Sequence, residues 1–115
     1  IPKPVAQVVG NLSVEFTHGM ADTDYGLRAK AEGISSWVMP DYIGTCYHNS
    51  KKEVWFDHKN PLIKRVRALL GPKGLPIKEW KVFTSRHGGR GWWIFFIKPY
   101  LRVLFPRWWQ KLKRE

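Results

Sequence analysis

The side chains best suited to chemistry in this sequence are one thiol and a few imidazoles. Cys46 and His48 are two residues apart, so on a strand they would point to the same face, and His58 follows nearby. Structural zinc takes four nitrogen or sulfur ligands, usually as two closely spaced pairs. The sequence supplies one such pair, so Cys46, His48 and His58 are incomplete candidates for a metal site. A small metal- or thiol-dependent enzyme is one hypothesis.

Other features of the sequence argue against catalysis. A nucleophilic cysteine needs an electropositive surrounding and a base, and no pattern near Cys46 supplies them. Acid and base catalysis needs paired carboxylates, which are scarce in the second half of the chain: Glu53, Asp57, Glu79, Glu115. We therefore expect a protein that is not an enzyme, needs no cofactor and has no small-molecule substrate.

The segment SRHGGRG at 85–91 indicates a different chemistry. Glycines let successive backbone N–H groups turn inward around an anion, and Arg86, His87 and Arg90 add positive charge. The segment lacks the Gly-Lys-Ser/Thr ending of a nucleotide-binding loop. We therefore expect these residues to bind a phosphate of RNA or of a lipid headgroup.

The end of the chain, residues 91–115, mixes large aromatic and basic side chains and holds four of the seven tryptophans. Such amphipathic side chains suit a boundary between an apolar phase and water. The predicted interface rings are Trp92, Trp93, Tyr100, Trp108 and Trp109. The predicted polyanion-binding residues of this stretch are Lys98, Arg102, Arg107, Lys111, Lys113 and Arg114.

Charge is concentrated in the same half of the chain. The net charge is +11, and residues 1–50 hold three basic against five acidic side chains, whereas residues 51–115 hold seventeen against four. A strongly basic surface favours nucleic acid, anionic lipid or an acidic protein as partner. The polyanion contact is thus expected in the second half.

The elements that position these residues are predicted to form an α+β fold. Two β-hairpins, at 43–57 and 79–97, are predicted because β-prone runs flank polar or glycine-containing links. A half-buried strand is predicted at 12–17, where apolar and polar residues alternate. Together these strands and the helix between them would form one small domain at 12–97.

The clearest predicted element is a short amphipathic helix at 61–70. Asn60 suits the N-cap, Pro61 the first helical position, and Gly71 the residue beyond the end. One face collects the apolar residues Leu62, Ile63, Val66, Leu69 and Leu70, and the other collects the basic residues Lys64, Arg65 and Arg67.

The two ends of the chain are predicted to lie outside this domain. Residues 1–11 read as an extended arm because of Pro2 and Pro4, and residues 98–115 as an amphipathic tail broken by two prolines.

A further helix is predicted inside the domain, from Thr23 or Asp24 to Glu32, with a left-handed glycine after it.

These patterns predict a non-catalytic accessory subunit of a large mitochondrial inner-membrane complex, of the respiratory-chain or ATP-synthase kind. Its partners would be other subunits and an anionic lipid surface. The single cysteine fits a reducing compartment, a first residue other than Met fits a removed leader, and no apolar run is long enough to span a bilayer. The alternative is an RNA-binding protein of a mitochondrial ribosome.

Overall fold

The computed structural model describes residues 1–47 and 54–112, and every regular element in them is helical. The α-helices are α1 Lys3–Val9, α2 Ala21–Ala31, α3 Leu62–Leu70, α4 Ile77–His87, α5 Trp92–Leu104 and α6 Pro106–Leu112, with a 3-10 turn at Gly89–Gly91. The chain divides into two compact units, Ile1–Lys51 and Lys52–Glu115.

The predicted α+β fold with two hairpins is wrong. The runs 79–84 and 92–97 are parts of α4 and α5, and residues 43–47 have no regular structure. The link of the first hairpin, at 48–53, lies outside the described residues. Residues 12–17 form turns and bends instead of a strand.

The strands at 79–84 and 92–97 were mistaken because six residues are too few to separate a strand from a helix, and 92–97 is apolar at every position. Trp80 stacks on Phe83 at 5.7 Å between ring centroids, and Phe83 meets His87 edge-on at 5.0 Å, so α4 repeats at three and four residues. The four-residue interval recurs in α5, with centroids 6.2 and 5.5 Å apart along the series Trp92, Phe96, Tyr100. Aromatic rings three or four residues apart contact each other when the segment is a helix.

The predicted extended arm is also wrong, since most of it is α1. Pro4 lies in the first turn of this helix, where its missing N–H costs no helical hydrogen bond. The second predicted helix does form, as α2, but it begins at Ala21, so Thr23 and Asp24 lie inside it and neither is its N-cap. Gly33 follows it with a φ of +77°, the left-handed conformation expected after a helix.

One guanidinium organises the first unit. The Arg28 Nε donates to Oδ2 of Asp24 at 2.9 Å, and its two other nitrogens donate to the carbonyls of Val9 and Asn11, both at 2.9 Å. Asp24 is 0 % exposed. Arg28 therefore neutralises a buried carboxylate and fastens α2 to the end of α1, beside a core of Phe16, Met20, Tyr25 and Ala29.

In the second unit α5 is central, with α3, α4 and α6 packed on it. Side-chain donors fix two of these contacts: Trp80 of α4 donates its indole N–H to the carbonyl of Phe96 at 3.1 Å, and Arg65 of α3 donates to that of Val103 at 2.5 Å. Val103 is among the most buried residues of the chain.

Helix α3 lies within the predicted range, but its orientation corrects the predicted faces. Arg65, expected on the outer basic face, is only 5 % exposed, whereas Ile63, expected inside, is 75 % exposed. Leu69 is buried four residues after Arg65, so these two share the face that packs on α5. The guanidinium is drawn inward by a backbone carbonyl that α5 leaves unpaired at its end.

The prolines of the last stretch behave differently from each other. Pro99 lies inside α5 and does not end it, so the predicted break there is wrong. The helix ends at Leu104, and Pro106 begins α6, as predicted for the second break. Residues 98–104 are consequently continuous with the aromatic run before them.

Gly88 forms the corner between α4 and α5. A Cβ at this position would lie 2.5 Å from the Thr84 carbonyl oxygen and 2.8 Å from the Cβ of Trp92. The two helices can therefore turn this closely only around a residue that has no side chain. In contrast, a Cβ on Gly26 inside α2 would meet nothing within 4 Å.

We predict opposite effects of alanine at these two glycines. Gly88→Ala should lower the free energy of unfolding by about 2 kcal/mol through overpacking. Gly26→Ala should raise it by roughly 0.5–1 kcal/mol through helix propensity. Urea denaturation of both variants measures this, and equal effects would contradict the described corner.

We also predict that Arg28 is needed for the first unit. Arg28→Met removes the cation beside the fully buried Asp24 and should cost about 3 kcal/mol. Native-state hydrogen exchange of the α2 amides measures the loss. The double variant Arg28→Met/Asp24→Asn should regain part of it, and unchanged exchange in the single variant would refute the assigned role.

Candidate functional site

The candidate site is an apolar face of α5 that its neighbours in the second unit leave uncovered. In the thirteen residues of α5 only Lys98 and Arg102 are charged. Trp93, Ile97 and Leu104 recur at helical spacing and are all exposed, Trp93 by 60 %. A helix that is apolar on nearly all sides is normally buried all round. This face therefore has the composition of an interface.

The same surface continues onto α6. Leu104 lines a groove of about 420 Å³ together with Leu62, Phe105 and Trp108. Trp108 is 56 % exposed. We call the exposed set Trp93, Ile97, Leu104, Phe105 and Trp108 the α5–α6 face.

Basic side chains lie among these apolar ones. Arg107 lines the same groove, and Lys111 is exposed on α6. On another side of α5, the Nζ of Lys98 is 5.9 Å from the ring centroid of Phe95, which is itself exposed. A ring beneath a cation and an aliphatic stem beneath a charge both present polar groups at the edge of an apolar surface.

The five predicted interface rings have different positions. Trp93 and Trp108 are exposed, whereas Trp92, Tyr100 and Trp109 are half-buried within the unit. The Tyr100 hydroxyl donates to the carbonyl of Leu75 at 2.9 Å, and burial raises the pKa of Tyr100 to about 12. Tyr100 therefore fastens the α3–α4 connection to α5.

The predicted anion loop is the corner between α4 and α5 instead of a hairpin loop. Arg86 and Arg90 are exposed there, and the His87 ring packs against Phe83. Of the other predicted basic residues, Lys98, Arg107 and Lys111 are exposed, Arg102 is half-buried, and Lys113 and Arg114 lie outside the described residues. Anion binding by the α4–α5 corner stays a prediction.

The predicted metal ligands are placed as follows. Cys46 is exposed in the first unit, His58 is exposed in the second, and His48 lies outside the described residues. Within residues 1–47 and 54–112, no three His, Cys, Asp or Glu side chains come close enough together to hold a metal ion.

Sequence reasoning missed a second feature of this unit, a small cavity lined by two arginines and two tryptophans. Trp55, Arg65, Arg102 and Trp109 line it, although Trp55 was assigned to a strand and Arg65 to the outer face of a helix. The four-residue spacing of Arg65 and Leu69 was the available signal for an inward arginine. Nothing in the local sequence around Arg65 or Arg102 indicates that the two line the same cavity.

Comparisons with known proteins give no match: no family model fits the sequence, and no curated protein or solved structure resembles it. Among the helices of the described ranges, none has both the length and the apolarity needed to cross a bilayer.

We predict a specific alkaline instability from Tyr100. Because its pKa is raised in the folded state, its contribution to stability is complete below the unfolded value near 10 and is lost as the pH rises through about 12. Tyr100→Phe should lower stability at neutral pH by about 1 kcal/mol and flatten the decline between pH 10 and 12. Denaturation across this range measures both.

The matched control is Tyr42→Phe, because Tyr42 is 98 % exposed. It should keep both the neutral stability and the alkaline decline of the original protein. A Tyr100→Phe profile that runs parallel to the control would contradict the assigned hydroxyl contact.

Proposed function

We propose that the protein is a non-catalytic accessory subunit of a membrane-bound multiprotein complex, and that its α5–α6 face rests on an anionic membrane surface. The observation that carries the proposal is the uncovered apolar side of α5, with exposed tryptophans at Trp93 and Trp108 and with Arg107 in the same groove as Trp108. Other subunits of the complex would be its protein partners.

The dimensions of α5 favour a position on the membrane over one across it. Thirteen residues form a helix roughly 20 Å long, shorter than the hydrocarbon core of about 30 Å. A helix with tryptophan and aliphatic side chains on one side can lie in the headgroup region with that side buried. Each nearby Lys or Arg adds about 1 kcal/mol on an anionic surface.

Charge supports the choice of an anionic membrane. The second half of the chain, which contains α5 and α6, holds seventeen basic and four acidic side chains. Basic surfaces bind anionic headgroups such as that of cardiolipin. We accordingly propose the mitochondrial inner membrane as the location and a complex of the respiratory-chain or ATP-synthase kind as the assembly.

The second candidate is an RNA-binding protein of a mitochondrial ribosome. Exposed Arg86 and Arg90 at the α4–α5 corner and the exposed rings of Trp93 and Trp108 could contact phosphates and bases. Lipid is favoured because aliphatic side chains such as Ile97 and Leu104 are among the exposed residues between these rings, and aliphatic groups give no stacking surface to a base.

Vesicle binding by the full chain tests the proposal. Trp93→Ser/Ile97→Ser should weaken binding to phosphatidylglycerol-containing vesicles at least about tenfold, because two apolar side chains leave the interface. The matched control is Trp37→Ser/Val38→Ser, which removes the same kinds of exposed side chain from the first unit. It should bind as the original does.

Two results would oppose this proposal. Equal vesicle binding by the two double variants would show that the α5–α6 face makes no special contact with lipid. Tighter binding to single-stranded RNA than to vesicles, with a steep salt dependence that flattens in Arg86→Ser/Arg90→Ser, would favour the ribosomal alternative.

A further inference from the structure

The small cavity in the second unit collects positive and proton-donating groups. It has a volume of about 80 Å³, enough for several water molecules, and lies between α3, α5, α6 and the turn before α3. Its lining includes Trp55, His58, Arg65, Arg102 and Trp109, and among the described residues of that lining there is no carboxylate.

Two residues that line this cavity carry buried donors without a hydrogen-bond partner in the described residues. The Nη2 of Arg65 donates to Val103, but its Nε makes no hydrogen bond within the described residues. The same holds for the indole Nε1 of Trp55. Only 5 % of the accessible surface of Arg65 is exposed. Buried donors in proteins are nearly always paired, so this arrangement indicates a missing acceptor.

Arg102 adds a second positive charge to this cavity, which an anion would neutralise. The Arg102 Cζ lies 4.2 Å from the ring centroid of Phe56, which holds the guanidinium at the cavity wall. Neither Arg65 nor Arg102 forms a salt bridge with a carboxylate in the part of the chain that the structure describes. Two like charges on one small cavity repel each other unless an anion lies between them.

We propose that this cavity binds one phosphate group. Arg65 and Arg102 would supply the charge, and the Trp55 indole would supply a further N–H donor. A tetrahedral phosphate offers four oxygens to donors that come from three separate segments, whereas a carboxylate offers two in one plane. Arginine is the side chain best shaped for such oxyanions.

An adjoining recess can hold the remainder of a phosphoester. It has a volume of about 270 Å³, shares Trp55, Arg102 and Trp109 with the cavity, and adds the rings of Trp80 and Phe95. The phosphate can therefore be free or belong to the headgroup of a lipid. Both sources present the same oxyanion to the arginines.

The test titrates the full chain with inorganic phosphate, using sodium chloride of equal ionic strength as reference, and follows heat release and melting temperature. Phosphate should bind saturably and raise the melting temperature. Arg102→Met should weaken binding at least about tenfold, and Trp55→Phe, which keeps a ring but loses the N–H, about fivefold. The matched control is Arg67→Met, on the exposed side of α3.

Equal phosphate affinity in the original protein, Arg102→Met and Arg67→Met would overturn the proposal, as would stabilisation that chloride reproduces. Trp55→Phe keeps the test decisive if Arg102→Met does not fold. Soluble dihexanoylphosphatidylglycerol distinguishes the sources: tighter binding than phosphate, lost in Arg102→Met, assigns a lipid headgroup, and binding of phosphate alone assigns the free anion.

This inference is independent of the membrane proposal. Trp93→Ser/Ile97→Ser alters the α5–α6 face but none of the residues that line the cavity. It should therefore retain phosphate binding even where vesicle binding is lost. The two proposals can fail separately.

Discussion

The structure of the second unit depends on how the apolar surface of α5 is covered. This helix is apolar on nearly every side, and α3, α4 and α6 cover only the part that carries Trp92, Phe96 and Val103. The donors of Trp80 and Arg65 end on its carbonyls, so its covered side is fixed in position. Its other side presents Trp93 and its neighbours outward, and the candidate interface follows from that imbalance.

Each unit also uses a guanidinium, half-buried at Arg28 and buried at Arg65, to join separate segments through backbone carbonyls. Arg28 has Asp24 as counter-ion and saturates two carbonyls near the end of α1. Arg65 reaches a carbonyl near the end of α5 but has no carboxylate beside it in the described residues. The arginine of the first unit is thus neutralised by a carboxylate, and the arginine of the second unit is not. An anion is therefore inferred only in the second unit.

The sequence predicted the features that depend on local chemistry and missed those that depend on packing. Prolines and glycines located the end of α3, the glycine after α2 and the start of α6 correctly. The predicted N-caps were wrong, because Pro61 and not Asn60 precedes α3, and α2 begins before Thr23 and Asp24. The second hairpin failed because 79–84 alternates over only six positions and 92–97 is apolar throughout, so neither run separates a strand from a helix. Ring contacts three and four residues apart reveal the helical period. Trp93 and Trp108 are exposed, but nothing local distinguished them from the half-buried Trp92 and Trp109. Arg65 and Arg102 meet only through the tertiary fold.

A measurement of how deeply α5 lies in a lipid surface tests the central claim most directly. A nitroxide attached at Ile97→Cys, with Cys46→Ser to remove the native thiol, reports collisions with oxygen, which concentrates in lipid, and with a water-soluble nickel complex. On anionic vesicles this label should gain oxygen collisions and lose nickel collisions, whereas a label at the exposed Lys81 of α4 should remain accessible to nickel. Equal nickel accessibility at both positions on vesicles that have bound the protein would contradict the account.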